Sequence, residues 1–273
     1  GTKTLTRAFV VAARPEPLPA GPPVIDEPGA EPSSDLELLQ GDWLLTQFRG
    51  TPGYAAEFQT AAGKRKYPMA ETSPGFYQGA TQVSVEDFPV PGQVRFQLSE
   101  DRGRKAAALS PGKVAVLAGP SVVAVKSEEP ISVRSGPGAG YLMFPPTGTR
   151  FLLAGRAGRQ ARLSLAPGFD GWVEAEKLEA LPPGTPPPHA KLRSVRTEAG
   201  KGSSSVRLDL TDKVPFIVEP GKDLDSLTVR LFYASADTDW VVYDSSETLV
   251  REVRWRVPGA GVVEVTVSLR DAG

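Results

Sequence analysis

The chain has 273 residues, with 31 Lys and Arg against 32 Asp and Glu, one histidine and no cysteine. A net charge of -1 supplies no global field for nucleic acid or an anionic membrane. The lack of cysteine removes disulfides, thiolate nucleophiles and thiolate metal sites together. No run of 18 apolar residues is present, so no membrane-spanning helix is expected, and a chain of this length is expected to build two to three domains around several small cores.

The first stretch, Thr2 to Val11 (TKTLTRAFVV), alternates as a strand with Leu5, Phe9 and Val11 on one face. No partner strand precedes it and a linker follows at once. Residues 1–13 are therefore expected to be the last strand of an upstream domain. Residues 3–11 would be ordered only by pairing with an exposed edge of another module or another copy of the chain, which implies concentration-dependent self-association. Residues 14–23 (RPEPLPAGPP) hold five prolines in ten and residues 182–189 begin with PPGTPPP, five in seven. Both read as semi-rigid, extended spacers.

Between these spacers short strands follow one another. Trp43–Phe48, Ala56–Phe58, Gln93–Leu98 and Lys113–Leu117 are separated by TPG, SPG, PVPG and SPG turns, and residues 24–118 are expected to form an Ig-like β-sandwich. Residues 119–181 are expected to form a second small β-domain, entered at the Gly-Pro of Ala118–Ser121. Residues 190–273 repeat the style with VRLDL, PFIV, LTVRLFY, WVVY, VREVRWRV and VVEVTVSL. One helical turn near Glu174–Leu178 is the only helix expected. The fold class is thus all-β, an array of β-sandwich and SH3-like barrel modules joined by Pro-rich linkers.

The stretch Ile131–Tyr141 (ISVRSGPGAGY), followed by Thr147-Gly148-Thr149 before Phe151-Leu152-Leu153 and closed by Gly171-Trp172-Val173 and Leu178, resembles a bacterial SH3-like domain over about residues 121–181. Ser132 stands where that family usually has asparagine, and Gly158–Ala161 stands where it tends to place a tryptophan. Further on, Arg207–Leu210, Lys213–Phe216, Leu227–Phe232, Asp237–Trp240 and Val253–Arg256 resemble the AMIN-type region that precedes the catalytic domain of zinc-dependent N-acetylmuramoyl-L-alanine amidases. The order of modules is similar to the non-catalytic N-terminal part of such an amidase. The resemblance implies an exported protein of the periplasm or cell wall, peptidoglycan or an anionic wall polymer as partner, and zinc only in a catalytic domain beyond Gly273. It also implies a further hairpin after Val262–Leu269, so that residues 190–273 would be truncated and the outer edge of that strand bare.

The residues themselves point to binding. Pro137 between Gly136 and Gly138 makes a turn with little freedom to lose, which presents Arg134 and Tyr141. Residues 131–169 contain Arg134, Arg150, Arg156, Arg159 and Arg162 and no acid, a local +5. Arginine suits bidentate contact with carboxylate or phosphate, and solvated surface arginine is the bland alternative. Arg134, Tyr141, Arg150, Arg156, Arg159 and Trp240 are the candidate binding residues.

Trp172 and Trp255 are expected in cores, whereas Trp240, beside Asp237 and Asp239, fits a core or a glycan surface. Those two aspartates read first as turn residues and only then as a carboxylate or calcium pair. His189 lies in the linker and is expected to be solvated, so neither a histidine-ligated zinc nor a Ser-His-Asp triad is expected in this chain. The function expected is cell-wall targeting without catalysis. The alternative is a structural or protein-interaction array of the envelope or surface layer.

Overall fold

A computed structural model describes residues 16–100 and 103–270. The strand expected over residues 3–11 lies outside the described residues. The chain divides into two units: one runs to Asp35 and resumes over Gly41–Ala115, and the other takes Leu36–Gln40 and everything from Val116.

The first unit is built from β1 (Ile25–Glu31) and, after the strand β2 (Leu36–Leu39) given to the second unit, β3 (Trp43–Gly50), β4 (Ala55–Gln59), β5 (Lys66–Ser73), β6 (Phe76–Gln82), β7 (Gly92–Ser99) and most of β8 (Lys105–Leu117). The strands run in the order β1-β3-β6-β5-β4-β7-β8. The sheet folds over at β5, whose first half pairs with β4 and second half with β6. Period-two alternation then sends one side of each strand into the space between the layers. Leu44, Phe48, Phe58, Tyr77, Phe96 and Leu98 fill it, all but inaccessible to water. Phe48 stacks on Tyr77 with ring centroids 5.0 Å apart and tilts against Phe96 at 5.3 Å.

One expected turn is something else. Ser110-Pro111-Gly112 lies within the 13-residue strand β8, where the register against β7 shifts between Arg95↔Leu109 and Gln93↔Lys113. It is a bulge, not a turn. The register shift leaves the Val94 N–H without a ladder carbonyl, and the buried Ser110 hydroxyl takes that place: it accepts from the Val94 N–H at 3.0 Å and donates to the Gly112 carbonyl at 2.6 Å.

In the second unit, residues 121–180 form a small barrel of β9 (Ser121–Val125), β10 (Val133–Arg134), β11 (Tyr141–Met143), β12 (Arg150–Ala157), β13 (Gln160–Ala166), β14 (Phe169–Glu174) and β15 (Leu178–Ala180). The helical turn is present as a 3-10 turn, Ala175–Lys177. β2 joins this barrel by pairing with the end of β12. That approach needs Gly155, whose φ is +150° and where a Cβ would lie 2.2 Å from the Glu37 carbonyl oxygen.

Residues 190–269 form two four-stranded sheets. In one, β16 (Ala190–Gly200) lies between β17 (Ser203–Leu210) and the short parallel partners β20 (Ala234–Ala236) and β21 (Val241–Val242). The other has the order β18-β19-β23-β22, from β18 (Phe216–Pro220), β19 (Ser226–Phe232), β22 (Val250–Gly259) and β23 (Val262–Leu269). Leu192, Val195, Leu231, Val253, Val263 and Val265 are buried in a common cluster, and Trp255 packs against it as expected.

Two expectations about this part are corrected. The Val262–Leu269 strand has no bare edge, because β19 pairs along one side and β22 along the other. The Pro-rich segment 182–189 does not hold its neighbours apart. Phe232, Tyr233, Ile217 and Val262 of the C-terminal module enter the same buried cluster as Phe151, Leu163 and Val173 of the barrel, and Phe169 stacks on Phe232 at 5.4 Å. Burial of aromatic surface at that junction outweighs the freedom a polyproline spacer would leave.

Candidate functional site

The structure accounts for the arginine beside the Gly-Pro-Gly turn. Gly136–Ala139 forms a β-turn closed by the Ala139 N–H on the Gly136 carbonyl at 3.0 Å, with Pro137 second and Gly138 third at φ +71°. This is the arrangement that proline and glycine favour together in a type II turn. A second bond, Ser135 N–H to the Gly140 carbonyl at 3.0 Å, ties the ends of the loop.

Arg134 folds back over this turn. Its Nη1 donates to the Ala139 carbonyl at 2.8 Å, its Nη2 reaches the Tyr141 hydroxyl at 3.4 Å, and the guanidinium carbon sits 4.4 Å from the centre of the Tyr141 ring. Three contacts thus fix one cation in a pre-organised position. Tyr141 remains 64% exposed and its ring lies 5.6 Å from the equally exposed Phe144.

On the other side of Arg134 is a cleft of about 170 Å³ lined by Ser132, Arg134, Gln160, Trp172, Glu174 and Lys177. β10 carries Arg134 directly opposite both Tyr141 and Trp172 in the ladder, which is why one residue borders both features. Trp172 is half-buried at the cleft, a correction to its expected place in the core. Gly171 instead lets Val133 pack down, since a Cβ there would lie 2.5 Å from the Val133 side chain.

The remaining arginines do not add up to a basic face. Arg150 pairs with Asp212, Arg156 Nε lies 3.7 Å from Glu37, and Arg162 Nη1 lies 3.5 Å from Asp170. Each acid lies outside the 131–169 window in which the charge was counted. Arg134 and the exposed Arg159 are the two that form no ion pair among the described residues. Of the six candidate residues, the fold brings Arg134 and Tyr141 together and separates the others by role.

Trp240 is 74% exposed in the C-terminal module and does not line the cleft. Asp237 is exposed, donates its N–H to the Leu192 carbonyl at 2.9 Å, and lies 3.5 Å from Lys191 Nζ. His189 is exposed, with Nε2 3.3 Å from the Ser235 hydroxyl. Among the described residues no group of three or more His, Asp or Glu side chains is placed to hold a metal. No described helix is long and apolar enough to cross a membrane.

Sequence reasoning missed a second surface. On β3 the residues Trp43 and Leu45 are 60% and 68% exposed, on the outer side of the first unit's sheet. The alternation of WLLTQFRG puts Trp43, Leu45 and Gln47 on one face, but Leu44 and Phe48 make the opposite face equally plausible as the exposed one from sequence.

No family model matches the chain, and no curated protein matches it. Several solved structures align with most of it. The Ig1-Ig2 region of Dpr2 in complex with DIP-Theta Ig1-Ig3 gives 7% identity over 92% of this chain and 91% of that one, with a TM-score of 0.27. A chimeric titin Z1Z2 gives 12% identity over 84% and 100%, with a TM-score of 0.29. A marsupial T cell receptor gives 9% over 87% and 93%, with a TM-score of 0.24. At these scores the likeness carries no information about function.

Proposed function

We propose that the chain is a non-catalytic binding region of the cell envelope that positions an N-acetylmuramoyl-L-alanine amidase on peptidoglycan. The chemistry, and the zinc it requires, would belong to a catalytic domain outside this sequence. The reading is supported by the order of the SH3-like and AMIN-like motifs.

The observation that carries it is the fixed Arg134 at the border of a small cleft. Arg134 and Lys177 on its walls suit a carboxylate, and Glu174 with Gln160 suits an amine or amide N–H. A short peptide with free carboxylate and amine groups, of the kind that branches from a wall glycan, matches that set. The paired state of Arg150, Arg156 and Arg162 favours this local contact over a broad polyanion surface.

Pulldown on purified sacculi at low and raised salt tests the reading. Binding is expected at low salt, weakened by salt and lost in Arg134→Ala. Absence of binding at both salts refutes it, and release of muropeptides by this chain alone refutes its non-catalytic part.

A second reading, a protein-interaction array, has its own observation. Among the described residues β18 pairs with β19 alone, and it carries Phe216 and Val218, each 49% exposed. With Phe144 these line an apolar cleft of about 310 Å³. Absence of sacculus binding at both salts, together with retention of an envelope protein that Phe216→Ser loses, favours that reading.

A further inference from the structure

The outer face of the first unit holds a groove that the SH3-like cleft does not explain. Along β3 the outward side chains are Trp43, Leu45, Gln47 and Arg49, and the register places Gln82, Ala80, Gln78 and Phe76 of β6 opposite them in turn. Two open concavities, of about 570 and 700 Å³, share Gln47, Gln78 and Glu31 and so run into one another along this face. At strand rise the span from Trp43 to Arg49 is about 20 Å. That is room for several linked rings.

The middle of the groove carries one carboxylate, Glu31, which lines both concavities and has no cation paired with it among the described residues; the other groups there are uncharged or neutralised. Arg49 is spent on Asp26, with Nη2 and Nε at 2.6 and 2.8 Å from one carboxylate oxygen, and Glu31 accepts the Ser33 N–H at 2.6 Å. Gln47 and Gln78 meet at 3.2 Å, each leaving further amide donors or acceptors open to solvent. Leu45 lines one end, with the exposed Trp43 just beyond it on the same face of β3, and the half-buried Phe76 lines the far end. Amides that both donate and accept, bracketed by aromatic faces, suit a ligand whose ring edges are hydroxyl-rich and whose ring faces are apolar. A protein partner would call for a larger contiguous apolar patch than two side chains beside alanine and amides provide, and an anionic ligand would be repelled by the Glu31 carboxylate, which can itself accept from a hydroxyl.

We infer that this groove binds a strand of uncharged polysaccharide, with Trp43 stacking on one ring and Gln47 and Gln78 hydrogen-bonding ring hydroxyls. The site is separate from the Arg134 cleft, and the inference does not rest on the amidase reading.

Affinity electrophoresis of the whole chain through gels containing hydroxyethyl cellulose or glycol chitin tests it, with calorimetry against cellohexaose and the N-acetylglucosamine hexamer. Retardation is expected in at least one gel, unchanged by raised salt. Trp43→Ala should weaken binding roughly tenfold, the double variant Gln47→Ala/Gln78→Ala should weaken it too, and Arg134→Ala should leave it unchanged. Trp43, Gln47 and Gln78 are exposed, so unaltered thermal unfolding is expected for their variants and serves as the folding control. No retardation by either polymer, or equal binding by wild type and Trp43→Ala, overturns the inference. Concentration-dependent dimerisation in sedimentation that Trp43→Ala abolishes also overturns it, by assigning the face to a second copy of the chain.

Discussion

Tyr233 is the residue whose removal should most directly loosen the barrel from the C-terminal module. It is 7% exposed, and its hydroxyl donates to the Ser164 carbonyl while accepting from the Leu152 N–H at 3.2 Å. Tyr233→Phe keeps the ring and strands two backbone groups at the junction. Leaving them unpaired costs about 2 kcal/mol. Urea unfolding of the second unit should show that loss as a lower midpoint with an unchanged slope.

The same residue predicts an alkaline signature. Burial pushes the phenol up to about 12, against a relieving hydrogen bond from Leu152 and a further upward push from the charge of Asp170. The folded value lies above the unfolded value of 10.0. The stabilising contribution is therefore complete below pH 10 and is lost as pH rises from 10 through the folded value, because the unfolded chain ionises first. Over that window a difference of two pH units amounts to about 2.7 kcal/mol. Wild type and Tyr233→Phe should thus converge in stability between pH 10 and 12. A variant within about 0.5 kcal/mol of wild type at pH 7, or a gap that stays constant up to pH 12, refutes the reasoning.

Further outcomes follow from other contacts. Gly155→Ala should destabilise the second unit by about 2 kcal/mol or more, with faster amide exchange at Leu36–Leu39, since its Cβ would collide with the Glu37 carbonyl oxygen 2.2 Å away. Glu264, 5% exposed along its side chain, lies between Arg230 at 2.9 Å and Arg256 at 2.5 Å. Burial pushes its carboxyl up, but the hydrogen bonds and charges of Arg230 and Arg256 outweigh that and hold it below the usual range. Its contribution is present above the unfolded value of 4.5 and lost as pH falls through the folded one. Glu264→Gln should cost about 2 kcal/mol at pH 7 and flatten the acid limb of the stability profile, as read by thermal unfolding from pH 7 to pH 3. Ser110→Ala should cost about 1–3 kcal/mol in the first unit by leaving the Val94 N–H unpaired, measured by urea unfolding.

Period-two alternation of Val, Leu and aromatic residues, cut by Gly and Pro, made the all-β class legible, because an extended chain has no other way to separate its apolar from its polar side chains. The Gly136-Pro137-Gly138 turn and the 3-10 turn at Ala175–Lys177 were legible for the same local reason: their backbone angles follow from residue type. What depends on residues far apart in the chain was not. Alternation says that Trp43 and Leu45 share a face and that Leu44 and Phe48 share the other, and only the layer meeting Phe96 and Tyr77 decides which is buried. A charge count over residues 131–169 cannot see Glu37, Asp170 or Asp212, which neutralise three of its five arginines once the chain is folded. Nor does a proline run reveal whether its neighbours touch. Phe232 and Tyr233 end a strand like any other in sequence, and become a junction because folding sets their rings against Phe169 and the backbone of Ser164 and Leu152.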